Sequence, residues 1–163
     1  MPEASNFHPL VPSERIQQVP DQSFSHPLNP NSEIHGVPLG DLAGLQRLGL
    51  YLAWIPPHKE SFIYHSHESE EEFIYILSGR GIAEIDGETF EVGAGDFMGF
   101  PTPSVAHHLR NPFDEKLIYL MGGERRKVEV ADFPHLQKSL IRRGKTAQIV
   151  NWDNLRSMFE GET

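Results

Sequence analysis

The segment His65-Ser66-His67-Glu68-Ser69-Glu70-Glu71-Glu72-Phe73-Ile74-Tyr75-Ile76-Leu77-Ser78-Gly79 holds the densest set of side chains able to do chemistry. Residues two apart on a strand share a face, so His65 and His67 would present both imidazoles to one side of a sheet, a bidentate grip for a metal ion. A turn through Glu68 to Glu71 would bring Glu72 onto the adjacent antiparallel strand, with its carboxylate at the same point; Glu71 is the alternative carboxylate. Neutral imidazole suits zinc, iron, nickel, copper and cobalt, and an added carboxylate oxygen makes manganese acceptable too. With His at 9 of 163 positions, one His-X-His pair arises by chance about half the time. Requiring Glu72 and Gly79 at their spacings lowers the expectation to roughly 0.004, so the compound pattern is specific.

A second segment, Gly95-Asp96-Phe97-Met98-Gly99-Phe100-Pro101-Thr102-Pro103-Ser104-Val105-Ala106-His107-His108-Leu109-Arg110-Asn111, offers a third imidazole. Adjacent strand residues face opposite ways, so only one of His107 and His108 can point inward. Spacing alone leaves both open. Tyr64, Tyr75 and Glu124 are candidates for proton transfer, although the tyrosines, like Trp54, Phe73, Phe97 and Phe100, read first as core or interface residues. The glycines here mark turns, because none opens a helix as a phosphate cradle does.

Short strands must position these groups. The pattern gives strands at Leu48 to Ile55, Ser61 to His67, Phe73 to Leu77, Gly81 to Asp86, Glu88 to Val92, Phe97 to Phe100, Val105 to Asn111 and Leu117 to Met121. Asp86-Gly87 supplies the positive φ of a tight hairpin. Eight or so short strands without a long amphipathic helix indicate an all-β sandwich or barrel. Seven of the 13 prolines fall in the first 38 residues, so residues 1–40 read as an irregular arm that packs on the barrel or on a partner subunit. The barrel core occupies 41–125. Residues 126–163 form a C-terminal extension, where Asn151 could cap a short helix carrying Trp152, Leu155, Met158 and Phe159 along one side.

Composition narrows the function. A chain of 163 residues suits one domain. Its 23 acidic and 14 basic residues leave a net charge of −9, which repels phosphate backbones and argues against nucleic acid. There are no cysteines, which excludes disulfides, thiolate metal sites and a cysteine nucleophile. Without a bilayer-length apolar run or a signal-peptide pattern, the expectation is a cytoplasmic protein with no membrane partner.

The two segments resemble the paired signatures of the cupin superfamily, G(X)5HXH(X)3-4E(X)6G and G(X)5PXG(X)2H(X)3N. In the first, His65, His67, Glu72 and Gly79 match in register; in the second, Gly95 and Pro101 match at the start and His107 with Asn111 at the close. Lys59 replaces the leading Gly, Pro103 replaces a Gly, and one extra residue precedes His107. The likeness covers residues 48–122 and is nearest to small single-domain bacterial cupins. It implies a double-stranded β-helix, or jelly-roll barrel. One divalent transition metal per chain (Fe, Mn, Ni, Zn, Co or Cu) would be held by His65, His67, Glu72 and His107, with a coordination position left open in a homodimeric assembly. On that basis the expected function is a metal-dependent enzyme acting on a small polar or carboxylated metabolite, of dioxygenase or isomerase, epimerase or lyase type. The alternative is a non-catalytic module that binds a sugar-like small molecule for storage or regulation.

Overall fold

The computed structural model of the chain describes residues 7–158. A short helix α1 (Ser13–Gln18) leads to β1 (Gln22–Phe24), β2 (Ile34–Val37) and one turn of helix, α2 (Leu39–Leu42). Then come β3 (Leu48–Ile55), β4 (Lys59–Glu60), β5 (Ser66–His67), β6 (Glu72–Ser78), β7 (Arg80–Ile85), β8 (Glu88–Gly93) and β9 (Phe97–Phe100). The last strands are β10 (His107–Asn111), β11 (Leu117–Glu124), β12 (Val128–Phe133), β13 (Lys138–Arg143) and β14 (Thr146–Asn151). Among the described residues no helix is long and apolar enough to cross a membrane.

The strands form a six-stranded sheet in the order β1-β2-β3-β11-β6-β9, a four-stranded sheet β4-β10-β7-β8, and a second four-stranded sheet β14-β13-β12-β5. All named pairings are antiparallel, including those that join strands far apart in sequence, such as β3 with β11 and β5 with β12. The fold is the all-β double-stranded β-helix. Its main core lies between the first two sheets, with Ala53, Ile55, Ile74 and Ile76 on one side and Ala83 and Leu109 on the other. Burying a side chain such as Ile76, fully shielded from solvent, stabilises the fold by about 1.5–3 kcal/mol. A smaller cluster of Ile63, Ala131 and Phe133 joins the third sheet to the barrel.

Strands β3 and β9 begin and end where the short apolar runs and their flanking turn residues place them. The expected hairpin is present, with Asp86 at φ 51° and Gly87 at φ 80° joining β7 to β8. Elsewhere the structure differs. Ser61 to His67 is not one strand, since only Ser66–His67 pairs as β5 and His65 makes an isolated bridge to His107. The N-terminal arm contributes β1 and β2 to the edge of the large sheet, and three strands follow Glu124. Instead of a helix over 151–159, a single 3-10 turn spans Trp152–Asn154, and Asn151 makes no side-chain cap. Trp152 donates its indole N–H to Ser139 Oγ at 2.8 Å, which holds this segment against β13. Phe159 lies outside the described residues.

Candidate metal centre

Glu72 opens β6, and its side chain shares a face with the buried Ile74 and Ile76. His107 opens β10 on the facing sheet, buried with Leu109 and stacked on Phe100 at a centroid distance of 3.6 Å. His65 is bridged to His107, while His67, two residues on, pairs with Ala131 of β12 in the third sheet. Three sheets thus supply one cluster. The expectation that Glu72 sits on the strand next to the histidines is corrected: β6 pairs with β11 and β9, and its carboxylate reaches the imidazoles across the barrel interior.

Ligating atoms of His65, His67, Glu72 and His107 all lie within 4.8 Å of one another. His65 Nε2 is 3.1 Å from His67 Nε2. Glu72 Oε2 is 3.2 Å from His67 Nε2, 3.4 Å from His107 Nε2 and 3.9 Å from His65 Nε2. The opposite ring nitrogens are all engaged: His65 Nδ1 with the Ile63 carbonyl at 2.6 Å, His107 Nδ1 with the Val105 carbonyl at 3.1 Å, and His67 Nδ1 with Glu129 Oε1 at 3.3 Å. Carbonyl and carboxylate oxygens only accept, so each Nδ1 must donate. In a neutral ring that leaves the Nε2 lone pair directed at the cluster.

Burial, reinforced by the nearby His107, pushes the His65 pKa down to about 3, so its ring is neutral at ordinary pH. For His67, burial is outweighed by the Glu72 and Glu129 carboxylates, which raise its pKa. Burial alone would raise the Glu72 carboxyl, but the His107 and His67 rings beside it hold it well below the usual carboxylate range. His107 Nε2 is buried and makes no hydrogen bond among the described residues. Converging lone pairs around a carboxylate and an orphaned buried nitrogen are what a divalent cation with nitrogen and oxygen ligands requires, and the residues fit such an ion.

Other candidates fall elsewhere. His108 points away from the cluster, with Nε2 3.8 Å from Glu60 Oε2, and Glu71 is exposed. Tyr64 stacks on His135 at 4.3 Å, and Tyr75 lies on the outer, exposed side of β6. Glu124 does border the cavity next to the cluster, which measures about 200 Å³ and is also lined by Tyr51, Phe62, His65, His67 and Met121. An open groove of about 400 Å³ runs past Phe73, Phe97 and Phe100 on the other side of Glu72, but it exposes no imidazole.

Sequence reasoning missed Tyr51, Tyr119 and Glu129. Tyr119 is 1% exposed and borders a small inner hollow with His65, Glu72 and His107. Burial and then the Glu72 charge push its hydroxyl pKa up, which keeps it a proton donor. The signal for it was available, because Tyr119 lies two residues after the inward Leu117 on β11 and so shares its face.

Residues 51–123 match the family model described as a cupin domain. A proposed sugar phosphate isomerase from Acidithiobacillus ferrooxidans superposes with a TM-score of 0.88 at 34% identity, over 93% of this chain and 97% of that one. The chain belongs to the cupin superfamily. A sugar phosphate isomerase of that superfamily from Silicibacter pomeroyi shares this cupin's fold, with a TM-score of 0.71 and 23% identity over 74% of this chain and 78% of that one. An uncharacterised protein of Methanocaldococcus jannaschii is 40% identical over 57 residues, 35% of this cupin and 45% of the archaeal chain. This cupin therefore spans less than half the length of that curated relative.

Proposed function

We propose that this cupin is a metal-dependent isomerase of a small hydroxylated or phosphorylated sugar. The observation that carries the reading is the convergence of three imidazole nitrogens and the Glu72 carboxylate within 4.8 Å beside a cavity of about 200 Å³. The relative from Acidithiobacillus ferrooxidans, similar along nearly its whole length, supports the substrate class. His65, His67, Glu72 and His107 would hold one divalent ion. Such an ion supplies Lewis acidity toward a substrate carbonyl or hydroxyl oxygen.

The rest falls to the chain's own groups. Hydrogen bonding from the Glu71 N–H, against burial and aided by Arg126, lowers the Glu124 pKa. Glu124 is thus an ionised carboxylate on the cavity wall, able to accept a hydrogen bond from a substrate hydroxyl. Tyr119 stays protonated and can donate a hydrogen bond into the inner hollow. Phe62 and Met121 give the cavity apolar walls. Arg126, paired with Glu124 at 3.0 Å and half exposed, is the cation a substrate phosphate would meet at the rim. The dimer implied by the family resemblance would cover exposed apolar residues such as Leu77, Phe90 and Phe97.

The test is turnover of aldose and ketose phosphates followed by NMR on metal-loaded protein. The expected result is interconversion that stops on chelation, returns with metal, and is absent from His65→Ala/His67→Ala. Saturable sugar binding with no product would overturn the isomerase reading in favour of a binding module, and metal-dependent oxygen uptake would replace it with a dioxygenase.

A further inference from the structure

Strand β12 lies beyond the stretch matched by the cupin family model, which ends at residue 123. It nevertheless reaches the centre. Glu129, Ala131 and Phe133 are its buried residues, and their alternation puts them on one inward face. Ala131 and Phe133 pack in the smaller apolar cluster. Glu129 has no apolar role to play there, yet its side chain is only 2% exposed. A carboxylate is kept in such a place only when its oxygens are fully paired.

Among the described residues, every hydrogen-bond partner of the Glu129 carboxylate comes from the segment that carries His67. Oε1 accepts from His67 Nδ1 at 3.3 Å, from the Glu68 N–H at 3.0 Å and from the Ser69 N–H at 3.3 Å. Oε2 accepts from the Ser69 N–H at 3.1 Å and from the Ser69 hydroxyl. The pairing of Ala131 with His67 and Asp132 with Ser66 fixes this register. Of the three clustered imidazoles, His65 and His107 lean on neutral backbone carbonyls, whereas His67 leans on a carboxylate.

We propose that Glu129 is a positioning residue for the metal centre, holding His67 in its Nδ1–H tautomer and making that ring the most strongly donating of the three imidazoles. This rests on reading His65, His67, Glu72 and His107 as metal ligands. A carboxylate behind a ligating imidazole fixes its tautomer and orientation and raises its basicity. His67, Glu70 and Glu129 also lie close enough to suggest a second cation site. The oxygens there are already engaged, because Glu70 is ion-paired with the Arg142 guanidinium and accepts the Arg126 N–H, while the Glu129 oxygens are occupied by N–H and O–H donors. The group therefore orients a ligand and does not bind an ion of its own.

The experiment measures zinc affinity by chelator competition in wild type, Glu129→Gln and Ser139→Ala. Ser139 is a buried β13 residue hydrogen-bonded to Asp132 and Trp152, so its loss loosens the same sheet without touching His67. Expected is a loss of about 10–100-fold in Glu129→Gln, with Ser139→Ala within about twofold of wild type despite a lower Tm. Equal affinity of Glu129→Gln and wild type overturns the role of Glu129 and leaves the metal centre intact. An equal loss in Ser139→Ala also overturns it, by assigning the effect to the sheet. Wild type that takes up none of zinc, iron and manganese overturns the centre itself, and Glu129's role with it. Should Glu129→Gln fail to fold, long-range 1H–15N correlation on zinc-loaded wild type decides: a His67 proton on Nδ1 is expected, and ligation through Nδ1 contradicts the proposal.

Discussion

His65, His67 and His107 show how a few hydrogen bonds prepare a site. Each ring spends Nδ1 on an oxygen and turns Nε2 inward, so the lone pairs meet at Glu72 Oε2. Glu72 is the one negative charge among the four, and Glu72→Gln keeps its shape while removing that charge. Its metal affinity should fall by more than the about 100-fold upper range seen for losing a supporting partner, as read by chelator competition; an unchanged affinity would remove Glu72 from the ligand set. Away from the centre, His35 lies 3.0 Å from Glu33 and 2.7 Å from Asp21. The Glu33 hydrogen bond, against burial and aided by Asp21, raises its pKa. A raised imidazole pKa contributes stability that is full below the unfolded value of about 6.5 and is lost as pH rises through the folded value. In urea unfolding, wild type should lose more stability between pH 5.5 and 8.5 than Asp21→Asn/Glu33→Gln. Identical losses would assign no such role to His35.

At the scale of strands and turns, the closing residues of the two signatures have backbone roles. Gly79 sits at φ +82°, and a Cβ there would come within 2.3 Å of the Lys116 carbonyl oxygen, so only glycine fits the turn from β6 into β7. Asn111 is fully buried; its amide donates to the carbonyls of Ile55, Pro56 and Glu115, and its oxygen accepts the Phe113 N–H. Asn111→Ala would leave those buried groups unpaired, costing roughly 2–4 kcal/mol in urea unfolding while metal affinity is retained. A stability within error of wild type would contradict this role. Legibility in the sequence followed the burial of each element. Strands β3 and β9 were readable in full and β6, β7 and β8 to within a residue, because each is a short run rich in apolar, aromatic or β-branched residues bounded by turn residues. Strand β14 was not, since five of its six residues are exposed and it has no apolar stripe. Strand β12 was misleading: Val128, 57% exposed, and Val130 suggest the buried face, yet it is Glu129, Ala131 and Phe133 that turn inward. That inverted phase hid Glu129. The four residues of the candidate metal centre stand out because their spacing is unusual, but the partners of the histidine Nδ1 atoms depend on sheet pairings that no local pattern encodes.

Across the whole molecule, the centre ties together the six-stranded sheet through Glu72, the β4-β10-β7-β8 sheet through His107 and the third sheet through His67. A ligand held by all three should couple to global stability, because an ion bound only in the folded state stabilises by mass action. At a hundred times its Kd the ion should add about 2.7 kcal/mol, and Tm should rise by roughly 5–10 °C for a domain of this size. Differential scanning calorimetry with and without chelator measures that shift, and coincident transitions at saturating metal would contradict the coupling. The net charge of −9 favours cation uptake over anion binding across most of the surface. The most direct test of the central claim is elemental analysis of protein purified without chelators, alongside His65→Ala/His67→Ala. The account predicts about one transition-metal ion per chain in the wild type and almost none in the variant. Full metal occupancy in the variant, or a wild type that stays metal-free when supplied with iron, manganese and zinc, would contradict it.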